Sequence, residues 1–191
     1  MRSPIRLAVW MAALGISALG AGAAAAQSMT LTSPDIKEGG TIANEQVLNG
    51  FGCKGDSISP ALSWSGAPSA TKSFAISMFD PDAPTGSGFW HWVVFNIPPG
   101  TTSLPKGAGN VKKKLMPKSA VQSRTDLSTD GYGGPCPPAG DPPHHYQITV
   151  FAVDVAKLPF AKNDNASAAL VGFDLHFHTL AKATLTGVYG R

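Results

Sequence analysis

Three aromatic and β-branched segments constrain this chain more than any other feature of its sequence. Residues 72–79 (KSFAISMF) alternate apolar and polar side chains at a period of two, which predicts a half-buried β-strand. Residues 89–97 (FWHWVVFNI) and 146–153 (YQITVFAV) are apolar along most of their length, which indicates strands buried on much of their surface. Residues 29–36 and 61–64 predict weaker strands. The chain is therefore expected to be mainly β.

The C-terminal region predicts a helix followed by a last strand. Asn165 or Ser167 can cap a helix that begins at Ala168, and apolar spacing continues towards Leu180. Residues 184–189 then predict the final strand. Strands followed by late helices favour an antiparallel β-sandwich with one or two C-terminal helices.

The segment from Pro98 to Pro143 interrupts this pattern. It is rich in Pro, Gly, Ser and Lys and has no sustained periodicity, and so long a connection is usually functional or mobile. A domain boundary is the alternative, but neither of the two flanking segments is long enough to fold stably by itself. We therefore predict one domain over residues 27–191. The long segment also suggests a contact surface through which the protein modulates a protein partner, such as a protease.

The N-terminus has the pattern of a secretory signal peptide. Arg2 and Arg6 give a positive start, residues 7–19 are apolar, and Ala24-Ala25-Ala26 offers a small-residue cleavage site. A membrane anchor is the alternative, but the apolar run is short for a bilayer span of about 20 residues. We predict a signal peptide over residues 1–26, export to a bacterial periplasm, and no transmembrane segment after cleavage.

The charge of the chain argues against nucleic acid as a partner. The formal net charge is +3, but removal of the signal peptide takes away two of the 15 basic residues and leaves the 12 acidic ones. Nucleic-acid binding usually requires a clustered basic face. Lys112-Lys113-Lys114 is the only basic run, and we interpret it as a solvated loop.

Cys53 and Cys136 are the only cysteines. In an exported chain, two cysteines most simply form one disulfide. Closing so long a loop would stabilise the fold by about 4 kcal/mol, less any strain. Two unrelated buried thiols are the alternative.

Polar residues stand where the predicted strands begin and end. Asp80 and Asp82 follow the strand at 72–79 on a turn stiffened by prolines. His91 lies among apolar neighbours, where an ionisable ring needs a partner, and His144 follows a Gly- and Pro-rich stretch that lets a ligand approach the backbone. A carboxylate can hold an imidazolium so that it binds a phosphate or carboxylate ligand. Taken singly, these features also fit a plain turn, a core histidine or a loop.

The sequence supports a catalytic site less well than it supports a binding pocket. No HExxH motif is present, and His176 and His178 are poorly spaced to chelate a metal from a helix. Gly86-Ser87-Gly88 lacks the elbow of a serine hydrolase, and Asp80 and Asp82 are too close in sequence for a glycosidase pair. We expect no enzyme activity, metal or cofactor.

Several motifs together resemble the phosphatidylethanolamine-binding protein family, most closely its bacterial Raf-kinase-inhibitor-like branch. The resemblance covers residues 29–190. The motifs are residues 51–55 (FGCKG), 80–84 (DPDAP), 86–92 (GSGFWHW), 134–138 (GPCPP), 144–146 (HHY), 171–173 (VGF) and 176–178 (HFH).

The resemblance implies an antiparallel β-sandwich with a small pocket at one end that binds phosphate, acetate or the phosphorylated head group of a lipid. It leaves out His145, which stands at a variable position, and it supports the cysteine pair as a feature of exported bacterial members. Fold alone does not choose among the roles of the family, which include kinase modulation and protease inhibition. By motif match, the pocket would be lined by Asp80, Asp82, His91, His144 and Tyr146, with Gly134 and Pro135 as wall.

Overall fold

The computed structural model describes residues 28–161 and 164–191. The predicted signal peptide lies outside the described residues and stays a prediction. The described residues form ten strands, a short 3-10 turn at Asn44–Gln46 and the helix α1 (Ala168–His178), which is not long and apolar enough to cross a membrane. The strands are β1 (Thr30–Thr32), β2 (Asn49–Gly50), β3 (Cys53–Lys54), β4 (Leu62–Ser65), β5 (Ser73–Asp80), β6 (Phe89–Ile97), β7 (Ser103–Leu104), β8 (Val121–Gln122), β9 (His144–Val153) and β10 (Thr179–Tyr189).

Two sheets pack face to face around the main core. One is antiparallel with the strand order β10-β9-β5-β6-β8, and the other has the order β1-β4-β7. Leu62 and Trp64 from the smaller sheet pack with Met78, Trp92 and Ile148 from the larger one. Burying side chains of this kind stabilises a fold by about 1.5–3 kcal/mol each. The predicted antiparallel β-sandwich is confirmed.

Helix α1 covers the outer face of the larger sheet. Its Val171 and Leu175 pack with Ala75 of β5 and Phe95 of β6. β5 is therefore buried on both faces, and the prediction of a half-buried strand is wrong. The polar residues of β5, which suggested that one face of the strand is exposed to solvent, are buried. Ser73 is an example, since its hydroxyl donates to a backbone carbonyl at 2.6 Å.

The C-terminal helix is shorter than predicted and the last strand is longer. The hydroxyl of Ser167 caps α1 by accepting from the amide of Leu170 at 3.2 Å. β10 then begins at Thr179, well before the predicted 184–189, and Leu180 lies in this strand. β10 pairs with β9 over nearly its whole length. These interstrand hydrogen bonds override the local apolar spacing.

The segment 98–143 is not the structureless connection that its composition predicts. Its strand β7 pairs with β4 and its strand β8 pairs with β6. Leu104 and Ala108 contribute to the main core. A role for this segment as a contact surface for another protein stays a prediction.

A disulfide joins Cys53 to Cys136. The predicted bridge is confirmed, and the alternative of two unrelated thiols is wrong. The bond fastens the Gly- and Pro-rich stretch at 133–138 to β3.

Candidate functional site

One end of the larger sheet carries a cavity of about 370 Å³. β5 runs antiparallel to both β6 and β9, so the end of β5 lies beside the beginnings of these two strands. Asp80 is the last residue of β5, His91 lies near the start of β6, and His144 and Tyr146 lie at the start of β9. All four side chains line the cavity. Strand order thus brings together residues that are far apart in the sequence.

Asp80 and His144 form a buried pair at the floor of the cavity. The Nδ1 atom of His144 donates to the Oδ2 atom of Asp80 at 2.7 Å. The other carboxylate oxygen accepts from the backbone amides of Asp82 and Ala83 at 2.9 and 3.1 Å. The carboxylate is therefore fully engaged, while the Nε2 atom of His144 stays free, since its 3.6 Å separation from Asp141 is too long for a hydrogen bond.

His91 presents a second imidazole to the cavity. Its Nδ1 atom donates to the carbonyl of Gly133 at 3.0 Å, which leaves Nε2 without a partner among the described residues. The ring packs against the rings of Phe89 and Tyr146, with centroids 5.0 and 5.2 Å apart. Burial lowers the pKa of His91, against the opposing effect of the Asp80 charge. The neutral form of the ring is therefore favoured more than in an exposed histidine.

Tyr146 supplies a hydroxyl group that is buried yet has no hydrogen-bond partner of ordinary geometry among the described residues. Burial raises the pKa of Tyr146, and the nearby Asp80 charge raises it further. The hydroxyl thus keeps its proton at physiological pH. An unpaired buried donor costs free energy, so a ligand acceptor at this position would be stabilising.

Gly134 lets one wall of the cavity lie close to the chain at residues 46–48. A Cβ atom on Gly134 would lie 2.2 Å from the carbonyl oxygen of Gln46 and 2.5 Å from the amide nitrogen of Leu48. The next residue, Pro135, accepts a hydrogen bond from Leu48 at 3.0 Å. Backbone contacts and the disulfide therefore fix this wall.

Replacing Gly134 by Ala is expected to lower the free energy of unfolding by about 1–3 kcal/mol, because two backbone segments must separate to make room for the methyl group. Urea denaturation measures the change. Gly100→Ala is the matched control, since a Cβ there meets no atom within 4 Å. Equal stability of both variants would contradict the close approach described here.

Asp82 is predicted to line the cavity and is not among its lining residues, whereas Pro135 contributes its backbone to the wall. The chain turns after Asp80, so side chains two residues apart no longer share a side. The Oδ2 atom of Asp82 instead accepts from the backbone amide of His145 at 2.7 Å and from its Nδ1 atom at 2.8 Å, and these bonds lower the pKa of Asp82. Pro135 uses its carbonyl to hold the wall. The predicted residues that do line the cavity are Asp80, His91, Gly134, His144 and Tyr146.

The histidines left out of the pocket lie elsewhere. His145 is exposed beside Asp82. The Nδ1 atom of His178 lies 2.9 Å from Asp154, and His176 is exposed on α1.

Arg191 and Phe51 are among the lining residues that the sequence analysis did not assign to the pocket. Arg191 follows β10, and its guanidinium donates from Nε to the carbonyl of Pro137 at 2.7 Å and from Nη2 to that of Phe51 at 3.3 Å. The side chain of Phe51 is 76% exposed and also lines the cavity. No sequence signal marks Arg191, whereas Phe51 stands in the FGCKG motif.

The sequence profile of the family described as phosphatidylethanolamine-binding protein matches residues 32–190. The chain belongs to this family. Its residues are 49% identical to the UPF0098 protein YbcL of Escherichia coli over 87% of this chain and 90% of YbcL, and 45% identical to YbhB of the same organism over 84% and 99% of the two chains. The predicted resemblance is thus confirmed.

Solved structures agree with this assignment. The crystal structure of E. coli YbcL, described as a member of the mammalian PEBP family, superposes with a TM-score of 0.83 at 48% identity and covers 86% of this chain and 99% of that one. A PEBP homologue from Chlamydia trachomatis gives a TM-score of 0.70 at 30% identity, over 86% and 99% of the chains.

Proposed function

We propose that this member of the family is a non-enzymatic binding protein for small anions: phosphate, carboxylates such as acetate, or phosphorylated head groups. The observation that carries the proposal is the set of free polar atoms on one cavity. Asp80 is fully engaged by its own turn and by His144, so it orients the imidazole and does not compete for the ligand. The atoms left for a ligand are the Nε2 atoms of His91 and His144 and the hydroxyl of Tyr146.

Binding without catalysis is supported by the chemistry of the same atoms. Thr85 is the one hydroxyl-bearing aliphatic residue on the cavity, and its oxygen donates to the carbonyl of Gly88 instead of pairing with a histidine. In residues 28–161 and 164–191, no three His, Cys, Asp or Glu side chains are grouped to hold a metal ion. The cavity therefore offers two imidazole nitrogens and a phenol hydroxyl to a ligand, and no activated nucleophile is among its described lining residues.

We also propose that the protein works outside the cytoplasm, in a bacterial periplasm. The sequence pattern at residues 1–26 predicts export, and the Cys53–Cys136 disulfide suits an oxidising compartment. A phosphorylated ligand would then be one that is present outside the cell membrane.

Replacing His144 by Asn is expected to weaken the binding of phosphate and acetate by about tenfold, because it removes a charge-assisted hydrogen bond. Asn keeps an N–H group that can donate to Asp80, so the buried carboxylate is not left alone. Isothermal titration calorimetry with phosphate, acetate and phosphoethanolamine measures the change.

His145→Asn is the matched control for this experiment. It changes the neighbouring histidine, which is exposed and pairs with Asp82 outside the cavity. Its affinities should equal those of the wild type. If His144→Asn, still folded by circular dichroism, binds every anion as tightly as the wild type, the site assignment is wrong.

A further inference from the structure

Arg191 lines the cavity and adds a cationic group that the two histidines do not provide. Its Nε and Nη2 atoms donate to the carbonyls of Pro137 and Phe51, which lie on the two segments that the Cys53–Cys136 disulfide joins. In the described part of the chain, no carboxylate lies within 4.0 Å of its nitrogens, whereas the cavity carboxylate of Asp80 is engaged by His144. The guanidinium of Arg191 therefore forms no ion pair with an Asp or Glu side chain among the described residues.

The backbone carbonyls fix the guanidinium in place before any ligand arrives. Two of its five N–H groups are used by Pro137 and Phe51, which leaves three to face a ligand or solvent. The main-chain oxygen of Arg191 also accepts from the amide of Gly140 at 3.1 Å, so both ends of the residue are held. A donor group held in this way loses little conformational entropy when a ligand binds.

The cavity is larger than one phosphate group. Its volume of about 370 Å³ corresponds to roughly a dozen water molecules at about 30 Å³ each. An anion seated at His91 and His144 would leave room in the same cavity for a substituent. The charge of Arg191 would then raise or lower the affinity according to the charge of that substituent.

Other charged groups near the cavity do not cancel this charge. Asp82 is paired with His145, and Asp141 does not line the cavity, although its carboxylate lies 3.6 Å from the Nε2 atom of His144. Asp126 accepts from the backbone amide of Trp90 at 2.8 Å and also does not line it. An arginine guanidinium keeps its charge across the physiological pH range. Arg191 is thus a permanent cation of the cavity.

We propose that Arg191 selects ligands by their second charge: anions that carry a further carboxylate bind better than anions that carry an ammonium group. The preferred ligand class is a small bifunctional anion, with a phosphate at the histidines and a carboxylate towards Arg191. This proposal rests on the proposed anion-binding function. It concerns the end of the ligand that the histidines do not touch.

Three two-carbon phosphate monoesters test the proposal by calorimetry. 2-Phosphoglycolate carries a carboxylate, ethyl phosphate carries no second charge, and phosphoethanolamine carries an ammonium group. At pH 7.5 all three phosphates are mostly doubly ionised. We expect affinity to fall in that order, by about tenfold from first to last, as for one charge pair at an exposed site. The difference in affinity between 2-phosphoglycolate and phosphoethanolamine should decrease as the salt concentration rises from a low value to 0.2 M, because salt screens exposed charges.

Variants of Arg191 locate the effect. Arg191→Gln should reduce the difference in affinity between the first and the last ester from about tenfold to less than about threefold. The variant should bind 2-phosphoglycolate more weakly and phosphoethanolamine more tightly than the wild type does. Arg191→Lys keeps the charge and should retain the order. Lys72→Gln is the matched control, since it removes an exposed positive charge just before β5, at the opposite end of that strand from Asp80, and should leave this difference in affinity unchanged.

The outcomes separate this proposal from the one on which it rests. Binding of none of the three esters by the wild type would overturn the anion-binding function itself. Equal affinities for all three would overturn the role of Arg191 and leave anion binding intact. A loss in Arg191→Gln that is the same for every ester would show that Arg191 merely supports the walls, and would also overturn selection by charge.

Discussion

Replacing Cys53 and Cys136 together by Ser is expected to lower the free energy of unfolding by about 4 kcal/mol. The two residues are 83 positions apart, and without the bridge the unfolded chain regains the entropy of an open loop of that length. For a domain of this size the loss corresponds to a fall in melting temperature of roughly 10 °C. Urea denaturation and differential scanning calorimetry measure the two quantities.

The wild-type protein, reduced and alkylated under native conditions, provides the control for this double variant. It should lose the same free energy, because the cross-link is removed without changing the residues that surround it. A loss of less than 1 kcal/mol in both samples would contradict the loop-entropy account.

Anion binding by the double serine variant should persist well below its melting temperature. The wall that the disulfide fastens is also held by the hydrogen bond from Leu48 to Pro135 and by the guanidinium of Arg191 at Pro137. The bridge therefore stabilises the fold more than it shapes the cavity. The stability and the affinity of this variant should change independently.

The sequence predicted the central strands well because their signal is local. Residues 89–97 carry aromatic and β-branched side chains throughout, and β6 has the same bounds. The boundary between α1 and β10 could not be predicted in this way. Residues 179–183 are held as a strand by their partners on β9, which are far away in the sequence.

In the candidate site, too, residues with a local sequence signal could be predicted and residues placed by distant parts of the chain could not. Asp80, His91 and His144 could be identified because charged or ionisable side chains at the ends of apolar strands need partners. Asp82 could not be placed from the sequence, because the turn after β5 decides which side it faces. Arg191 was missed, because only the folded chain places it against the carbonyls of Phe51 and Pro137.

The affinity for acetate is expected to rise as the pH falls from 8 towards 6. Burial lowers the pKa of His91 below the ordinary histidine value of about 6.5. An anion beside its Nε2 atom favours the imidazolium and therefore raises the pKa in the complex. Between the free and the bound pKa, affinity should change by up to about tenfold per pH unit, and it should level off outside that interval.

Acetate is the suitable ligand for this measurement because it stays ionised above pH 6, whereas phosphate changes its own charge in the range. Calorimetry in buffers of different ionisation enthalpy gives the number of protons taken up on binding. The groups that face His91 are the Asp80 carboxylate, the Gly133 carbonyl and the rings of Phe89 and Tyr146, with the Asp126 charge further off. Of these, only Asp80 and Asp126 carry charge near pH 7.

Two variants assign the proton to its residue. His91→Gln should abolish most of the proton uptake, because the amide can donate to the anion without titrating. His145→Gln should leave the uptake unchanged, because its ring is exposed and pairs with Asp82 outside the cavity. If His91→Gln takes up as many protons as the wild type, His91 is not the residue that takes up the proton. An affinity that does not vary between pH 6 and 8 would mean that the Tyr146 hydroxyl and the Arg191 guanidinium hold the anion without help from a charged histidine.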